Sequence, residues 1–417
     1  MRKPALLLAV LLLGLVAGCG GESTTPTPSP SPTPAPATAT PAPTVGVTPS
    51  GPAVCTESPF DFPAVSGISP VTEEDHVHGP ADAPVTIIEY ADFQCPGCAA
   101  MASLRIYLED TYGENVRSVY RHFALSFHDK ALITGEAIEA AGAQGRFWEM
   151  HDLLYERQQE WNQLSGDAVE TRLVEYAEEL GLDTERFSQE MSDHVYLDKI
   201  NADTEEATQA GLPGTPTYII NGVIYPTQEL GLHPVLIGAF VRLMSLVPDQ
   251  YTEVPPQVID PEKDYVATIQ TSKGDIVVEL FAGLAPTNVN SFVFLARDGW
   301  YDGLAFFFVQ PDLAAQSGDP TNVGWGMPFP GYSCGDETSS DLTFDEDGML
   351  ALFTPAPGRN SSQFFVTYAP RPDFNGRYTI IGRVVEGMDV AESLTPTQPG
   401  PDQPSPDVIE TILVEEK

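Results

Sequence analysis

The sequence predicts an α/β domain rich in helix, followed by a mostly β domain closed into a barrel. Two observations carry that expectation. A β-branched run, Pro84 to Tyr90, hands over through Cys95-Pro96-Gly97-Cys98 to a stretch with an apolar stripe at helical spacing. Beyond residue 262 the chain breaks into short alternating strands and Gly/Pro/Asp turns with one clear helix. At 417 residues and 42% hydrophobic content there is enough chain for two or three cores.

The N-terminus reads as an export signal. Arg2 and Lys3 precede an apolar run from Ala5 to Gly18, ending in Val16-Ala17-Gly18-Cys19. A positive start, a short apolar stretch and small residues before a cut site describe a signal peptide, expected over residues 1–18. The run is short for a transmembrane helix, which needs about 20 apolar residues. The box ending in Cys19 resembles that of bacterial lipoproteins, which implies lipidation at Cys19 and a membrane anchor. Residues 19–69 are expected to be the lipidated cysteine and a spacer, with Pro alternating with Thr, Ser and Ala up to about residue 54. Such composition cannot build a core and favours extended polyproline II. Some thirty residues at about 3 Å each would hold the folded part up to about 90 Å from a membrane.

With 59 acidic against 20 basic residues, the formal charge is −39. That surface repels phosphate backbones, so nucleic acid is excluded as a partner. Export sets the redox context for the five cysteines: one for lipid, a redox pair, and two left over.

Within the first domain, expected over 70–250, Ala99 to Tyr112 reads as a helix with Met101, Leu104 and Leu108 on one face. The two cysteines therefore sit where a strand meets a helix N-terminus. There, unpaired N–H groups stabilise a thiolate and lower the pKa of the first cysteine. The spacing lets the second cysteine attack a mixed disulfide formed by the first. Val116 to Phe123 reads as a strand and Ile133 to Trp161 as strongly helical. Val169 to Leu180 is a further helix stopped by Gly181. Thr217 to Ile220 followed by Asn221-Gly222 suggests a hairpin.

Residues 79–247 resemble the thioredoxin superfamily in its DsbA-like branch. The motifs are Asp92-Phe93-Gln94-Cys95-Pro96-Gly97-Cys98, Gln144 to His151, and Gly214-Thr215-Pro216-Thr217. The resemblance implies a thioredoxin-like fold with a helical insertion, Cys95 as nucleophile and Cys98 as resolving cysteine. It also implies a cis Thr215–Pro216 bond facing them. Glu89 falls where such proteins place a buried acid that exchanges a proton with the second cysteine; the other reading of Glu89 is a solvent-facing edge carboxylate. A C-x-x-C is also half a zinc site, but no second pair exists, and His76 and His78 read as a loop pair, so no metal is expected. The redox-active disulfide is the only cofactor expected. The motif leaves the direction of electron flow open, and export favours oxidation or isomerisation over reduction.

Pro255, Pro256 and Pro261 mark a linker over 251–261, and the second domain is expected over 262–417. Tyr265 to Thr271 and Asp275 to Phe281 are alternating strands. Pro286 opens a helix with Val289, Phe292, Val293 and Ala296 on one face, stopped by Gly299. This domain resembles the cyclophilins. The motifs are Ala285 to Phe292, Gly299 to Leu304, Gln316-Ser317-Gly318-Asp319-Pro320, Ser362-Gln363-Phe364-Phe365 and Gly382 to Met388.

The cyclophilin resemblance implies an eight-stranded barrel that isomerises X–Pro bonds, with a prolyl-peptide groove. The family's Phe-His-Arg triplet falls on Phe306-Phe307-Phe308, so the catalytic arginine is Phe308, which has no donor to offer. The pocket wall, usually Pro-Gly-Phe-Met, reads Pro311-Asp312-Leu313-Ala314. Gln316, Gln363 and Phe365 are retained, Asp373 takes the tryptophan position beside Phe374, and Tyr378 takes that of the histidine. Isomerase activity is therefore expected to be weak or absent.

Cys55 and Cys334 remain. They either pair, stapling the two domains, or stay as separate thiols, and an oxidising compartment favours pairing. The overall expectation is an exported, membrane-tethered folding factor. Its partners would be exported client polypeptides and a thiol-redox protein. The rival is a docking scaffold whose redox pair serves one dedicated partner.

Overall fold

A computed structural model of the protein describes residues 53–417 apart from Gly326, Pro355 and residues 400–402. The expected signal peptide, Cys19 and the first part of the spacer lie outside the described residues. Among those described, no helix is long and apolar enough to cross a membrane.

Fifteen strands are described in chain order: β1 Cys55–Glu57, β2 His76–His78, β3 Val85–Ala91, β4 Val116–His122, β5 Thr217–Ile220, β6 Val223–Ile224, β7 Tyr265–Thr271, β8 Gly274–Leu280, β9 Phe308–Gln310, β10 Ala314–Ser317, β11 Tyr332–Cys334, β12 Met349–Leu352, β13 Phe364–Thr367, β14 Ile380–Glu386 and β15 Ile409–Glu416. The first domain is a five-stranded sheet in the order β2-β4-β3-β5-β6. Its central strand β3 runs parallel to β4 and antiparallel to β5. It is covered on both faces, which is why it reads as a β-branched run without alternation. Asn221 and Gly222 both adopt positive φ and close the β5–β6 hairpin, as an Asn-Gly pair favours.

The helices differ in detail from the expected ones. The span 99–112 is two helices, Pro96–Ala100 and Leu104–Tyr112, because the chain tightens at Met101, whose N–H bonds Cys98 O. The span 133–161 is three: Ala131–Gly142, Phe147–Glu156 and Gln158–Asn162. The first break is a left-handed stop at Gly145 (φ +76°), with Arg146 N bonding back to Ala141 O. These three, with Asp167–Glu179, Thr184–Ser192 and Leu197–Gln209, form the helical insertion between β4 and β5. Pro234–Leu246 packs Ile237, Phe240 and Val241 into the core with Leu104, Leu108 and Tyr218.

The second domain is an eight-stranded antiparallel sheet in the order β15-β7-β8-β14-β12-β13-β10-β9. It curls so that its two edges approach, but the seam is not a continuous ladder. It is held by an isolated Ala305–Val408 bridge and by Phe306 N bonding Asp407 O at 2.9 Å. The helix Pro286–Arg297 buries Val289, Phe292, Val293 and Ala296, and Gly299 in the left-handed region follows it.

Two segments expected to be connectors belong to the folded body. Cys55 is disulfide-bonded to Cys334, and around that bond β1 pairs with β11. Phe60 and Phe62 then lie against Phe329 and Phe240, and Val65 N bonds Gly222 O in the first domain. Residues 53–69 therefore belong to the folded body and not to the expected spacer, because two phenyl rings and a cysteine have partners in both domains. Full burial of a phenyl ring contributes about 1.5–3 kcal/mol, which offsets the cost of ordering the residue that carries it. The expected linker 251–261 is likewise fixed. Tyr251 packs edge-on or tilted against Phe294, Trp300 and Tyr332, and Asn290 Oδ1 accepts from Val258 N.

The bond joins residues 279 apart in sequence. Replacing both partners (Cys55→Ala with Cys334→Ala) is expected to cost about 3–5 kcal/mol. The loss is read as a lowered denaturant midpoint together with new protease cleavage between residues 56 and 69. An unchanged midpoint and an uncut strap would show that the ring contacts alone hold it.

Candidate functional site

Two sites lie where the chain puts its chemistry. In the first domain, β3 ends at Ala91 and the next residues fold back under Asp92. The Asp92 carboxylate is fully enclosed: Oδ1 accepts from Gln94 N (2.8 Å), and Oδ2 accepts from Leu125 N (3.0 Å) and lies 2.8 Å from His128 Nδ1. Gln94 extends the clamp. Its Nε2 donates to Asp129 and Asn162, and its Oε1 accepts from Lys130 N. From the helical insertion, Gln158 Nε2 donates to Phe93 O (2.7 Å) and Cys95 O (3.0 Å). The loop that presents the cysteines is therefore held from both sides.

Cys95 occupies the N-cap of Pro96–Ala100, with Pro96 in the first turn, where its missing N–H costs nothing. The Thr215–Pro216 bond is cis, and Cys95 Sγ lies 3.3 Å from Thr215 O. A Cβ on Gly97 would stand 3.2 Å from Pro216 Cδ, so the glycine of the dipeptide lets these segments meet. Both cysteines are free thiols, Cys98 fully buried and Cys95 nearly so.

Their protons are held with opposite strength. The Cys98 thiol donates to Cys95 and, against the opposing effect of burial, brings Cys95 down to about 5; the Cys98 and Gly97 backbone N–H groups add to this. Burial pushes Cys98 well above the ordinary thiol value, and the nearby Cys95 and Glu89 add to it. Glu89 lies on the central strand and not at an edge, and it is half-buried. Burial raises it to about 7 although Tyr218, its partner across the β3–β5 ladder, donates to Oε1 at 3.0 Å. Beside it is a cavity of about 20 Å³ lined by Glu89, Arg105, Trp148, His151 and Tyr218, enough for about one water. Such an arrangement can offer a thiolate at Cys95 and trade a proton near Cys98 at neutral pH.

His76 and His78 lie in β2 and not in a loop. His76 Nε2 is 2.9 Å from Glu139 Oε1 and its ring stacks on Phe147 at 3.5 Å. Among the described residues no group of three or more His, Cys, Asp or Glu is placed to hold a metal.

In the second domain, the register sets Phe308 and Phe365 on either side of Gln316 on one sheet face. Phe365, Phe374 and Tyr378 pack mutually at 5.1–5.9 Å, and Leu313 joins their cluster. Gln316 Nε2 donates to Gln363 Oε1 at 2.9 Å. Asp312 adopts φ +61° at the place where the family wall has glycine. Phe344 and Phe353 also line the cluster, and nothing in their spacing marks them beforehand. Gln158 and His128 are equally unannounced at the first site, since their partners are backbone groups and a distant carboxylate. Arg359 is exposed, and Arg371 lies over Phe374 (4.2 Å) while paired with Asp373.

The thiol values generate a measurement. Cys95 titrates below the unfolded-chain value of about 8.5. Its ionisation therefore stabilises the reduced fold fully above about pH 8.5, and that contribution is lost as pH falls through about 5. Alkylation of the reduced protein by iodoacetamide is expected to rise with a midpoint near pH 5 at Cys95, with Cys98 unreactive at neutral pH. A midpoint near 8.5 at Cys95 would contradict this electrostatic account.

Comparison with known proteins agrees with both geometries. The family described as cyclophilin type peptidyl-prolyl cis-trans isomerase/CLD matches residues 266–414, and the family described as thioredoxin matches residues 71–230. The Na(+)/H(+) antiporter NhaA 1 of Salinispora arenicola is 43% identical over 152 residues, 36% of this chain and 22% of that protein. The chain thus spans about a fifth of that relative's length. Peptidyl-prolyl cis-trans isomerase ppi1 of Schizosaccharomyces pombe is 43% identical over 127 residues, 30% of this chain and 82% of that protein. Among solved structures, oxidised BdbD from Bacillus subtilis is 19% identical with a TM-score of 0.37, covering 46% of this chain and 99% of that one. Through residues 266–414 the chain belongs to the cyclophilin-type peptidyl-prolyl cis-trans isomerase family, and a thioredoxin-like domain precedes that part.

Proposed function

We propose that this protein is an exported folding factor that exchanges disulfides through Cys95 and Cys98 and engages prolyl segments of the same clients in its barrel. One observation carries the reading: two thiols separated by two residues, one held ionised and the other held protonated, packed against Thr215 and Pro216 and near a carboxyl that titrates near neutrality. In this reading a client thiolate attacks Cys95 Sγ of the Cys95–Cys98 disulfide and expels Cys98. A second client thiolate then attacks the client sulfur of the mixed disulfide and expels the Cys95 thiolate. In the reverse direction Cys95 attacks a client disulfide and Cys98 resolves the mixed disulfide. The client backbone docks along Pro216, and Glu89 takes or returns the Cys98 proton. Formation of the client disulfide consumes the enzyme's own; a thiol-redox partner protein restores it.

The barrel takes the second role. Phe365, Phe374, Tyr378 and Leu313 supply an apolar seat for a proline ring, with Gln316 and Gln363 beside it. Phe308 in the arginine's place lowers the catalytic contribution and favours holding over rotating the peptide. That same substitution supports a second reading, in which the barrel is a docking module. Export is supported by the Cys55–Cys334 disulfide, of a kind that persists outside the cytosol. Lipid attachment at Cys19 and tethering to the outer face of a membrane complete the proposal.

Oxidative refolding of a reduced client separates the readings. The wild-type protein should accelerate it for several unrelated clients, and Cys95→Ser should return the rate to background. Acceleration that survives Cys95→Ser would sink the redox assignment, and silence of the wild type would favour the scaffold. In a peptide isomerisation assay, Phe308→Arg is expected to raise kcat/KM about 10- to 100-fold. No gain would mean that the groove does not hold an X–Pro bond where the family holds it.

A further inference from the structure

Rotation about an X–Pro bond breaks no covalent bond, but it removes the amide conjugation. Midway, the prolyl nitrogen recovers its lone pair and becomes a hydrogen-bond acceptor that the planar ground state lacks. A donor aimed at that nitrogen therefore acts only in the transition state and lowers the barrier. Phe308 supplies none, so any rotation this groove performs must draw on another group.

Few donors face it. Arg371 is committed to Asp373 at 2.9 and 2.7 Å, and Arg359 is exposed. Gln316 spends Nε2 on Gln363 Oε1. Gln363 is different. Its side chain is 2% exposed, its oxygen is satisfied by Gln316, and its Nε2 is buried without a hydrogen-bond partner. An unmet buried donor is costly, and native proteins keep few of them. This one lies two residues before Phe365 and is bonded to Gln316, which stands between Phe308 and Phe365 in the sheet register. It thus borders both the seat for the proline ring and the place where the arginine is missing.

We propose that Gln363 Nε2 is the donor to the twisting prolyl nitrogen, taking over the task of the absent guanidinium, so that the barrel is a slow isomerase of X–Pro segments and not an inert clamp. Gln363 is then the catalytic residue. Gln316 is a positioning residue, since its bond to Oε1 fixes the Gln363 amide and leaves Nε2 without a partner. The inference rests on the reading of this cluster as a prolyl-peptide groove.

The test uses the full chain and a short Ala-Pro-containing peptide, with isomerisation read by exchange NMR and peptide affinity measured in the same samples. Wild type should exchange the peptide above the uncatalysed rate. Gln363→Met should lower kcat/KM about 100-fold with peptide affinity and near-UV circular dichroism unchanged. Gln363→Glu should be equally slow at neutral pH and regain activity as pH falls and its carboxyl acquires an O–H donor, a recovery that a purely structural role would not produce. Gln316→Leu should lower kcat while leaving affinity in place. Exchange by Gln363→Met at the wild-type rate, or a wild type that binds peptide without catalysing exchange, overturns the assignment. Failure of the wild type to bind peptide at all instead overturns the groove reading on which it rests.

Discussion

The covalent bond from Cys55 to Cys334, with the strand pairing around it, is the constraint on which the arrangement of the folded body depends. It draws residues 53–69 across both domains, and the contacts that follow are apolar and mutual. Phe60 meets Phe329, Phe62 meets Phe240, and Trp325 meets Phe240 from the barrel side. Gln250 closes the corner by donating to Phe60 O and accepting from Phe60 N. Trp325 is held in place by Asp319, fully buried, whose Oδ2 accepts its N–H. The barrel thus contributes side chains to the core beneath the thioredoxin-like sheet, and the two sites belong to one packed unit.

Within the first site the governing facts are the enclosure of Cys98 and the hydrogen bonds that Cys95 receives. Cys98 is enclosed among aromatic rings with Glu89 nearby, so its charge is disfavoured, whereas Cys95 collects hydrogen bonds from the turn it caps. A negative Cys95 and a neutral Cys98 are two aspects of one local field. Neither value would persist if the loop moved, and Asp92, Gln94 and Gln158 act on that loop by fixing its carbonyls and N–H groups.

Local chemistry was legible in the sequence, and long-range chemistry was not. The β-branched run of β3, the Asn221-Gly222 turn and the face of Pro286–Arg297 follow from periodicity and turn preferences that act over a few residues. The Cys95-Pro96-Gly97-Cys98 motif is equally local. Gly145 escaped because a single glycine in a helical pattern is ambiguous until the bond from Arg146 to Ala141 is seen. The strap escaped because Phe60 and Phe62 follow a proline-rich tract, and only partners some 180 and 270 residues away explain them. A mostly β domain was expected from its strand pattern and eight strands from the cyclophilin resemblance, while the isolated bridge at its seam depends on where the last strand arrives. Gln158 and the unpaired nitrogen of Gln363 could not be read beforehand, because neither depends on sequence neighbours.

The path of the chain through its strap also sets how load enters the molecule. Residue 53 leads directly into the strand bonded to the barrel, although the redox domain follows it in sequence. A pull on that end is therefore taken by the Cys55–Cys334 bond and the barrel sheet, and the thiol pair is shielded from tension. The same path fixes an order of assembly. Cys55 cannot meet its partner until about 280 residues are made behind it, so the first domain can mature before the clasp closes.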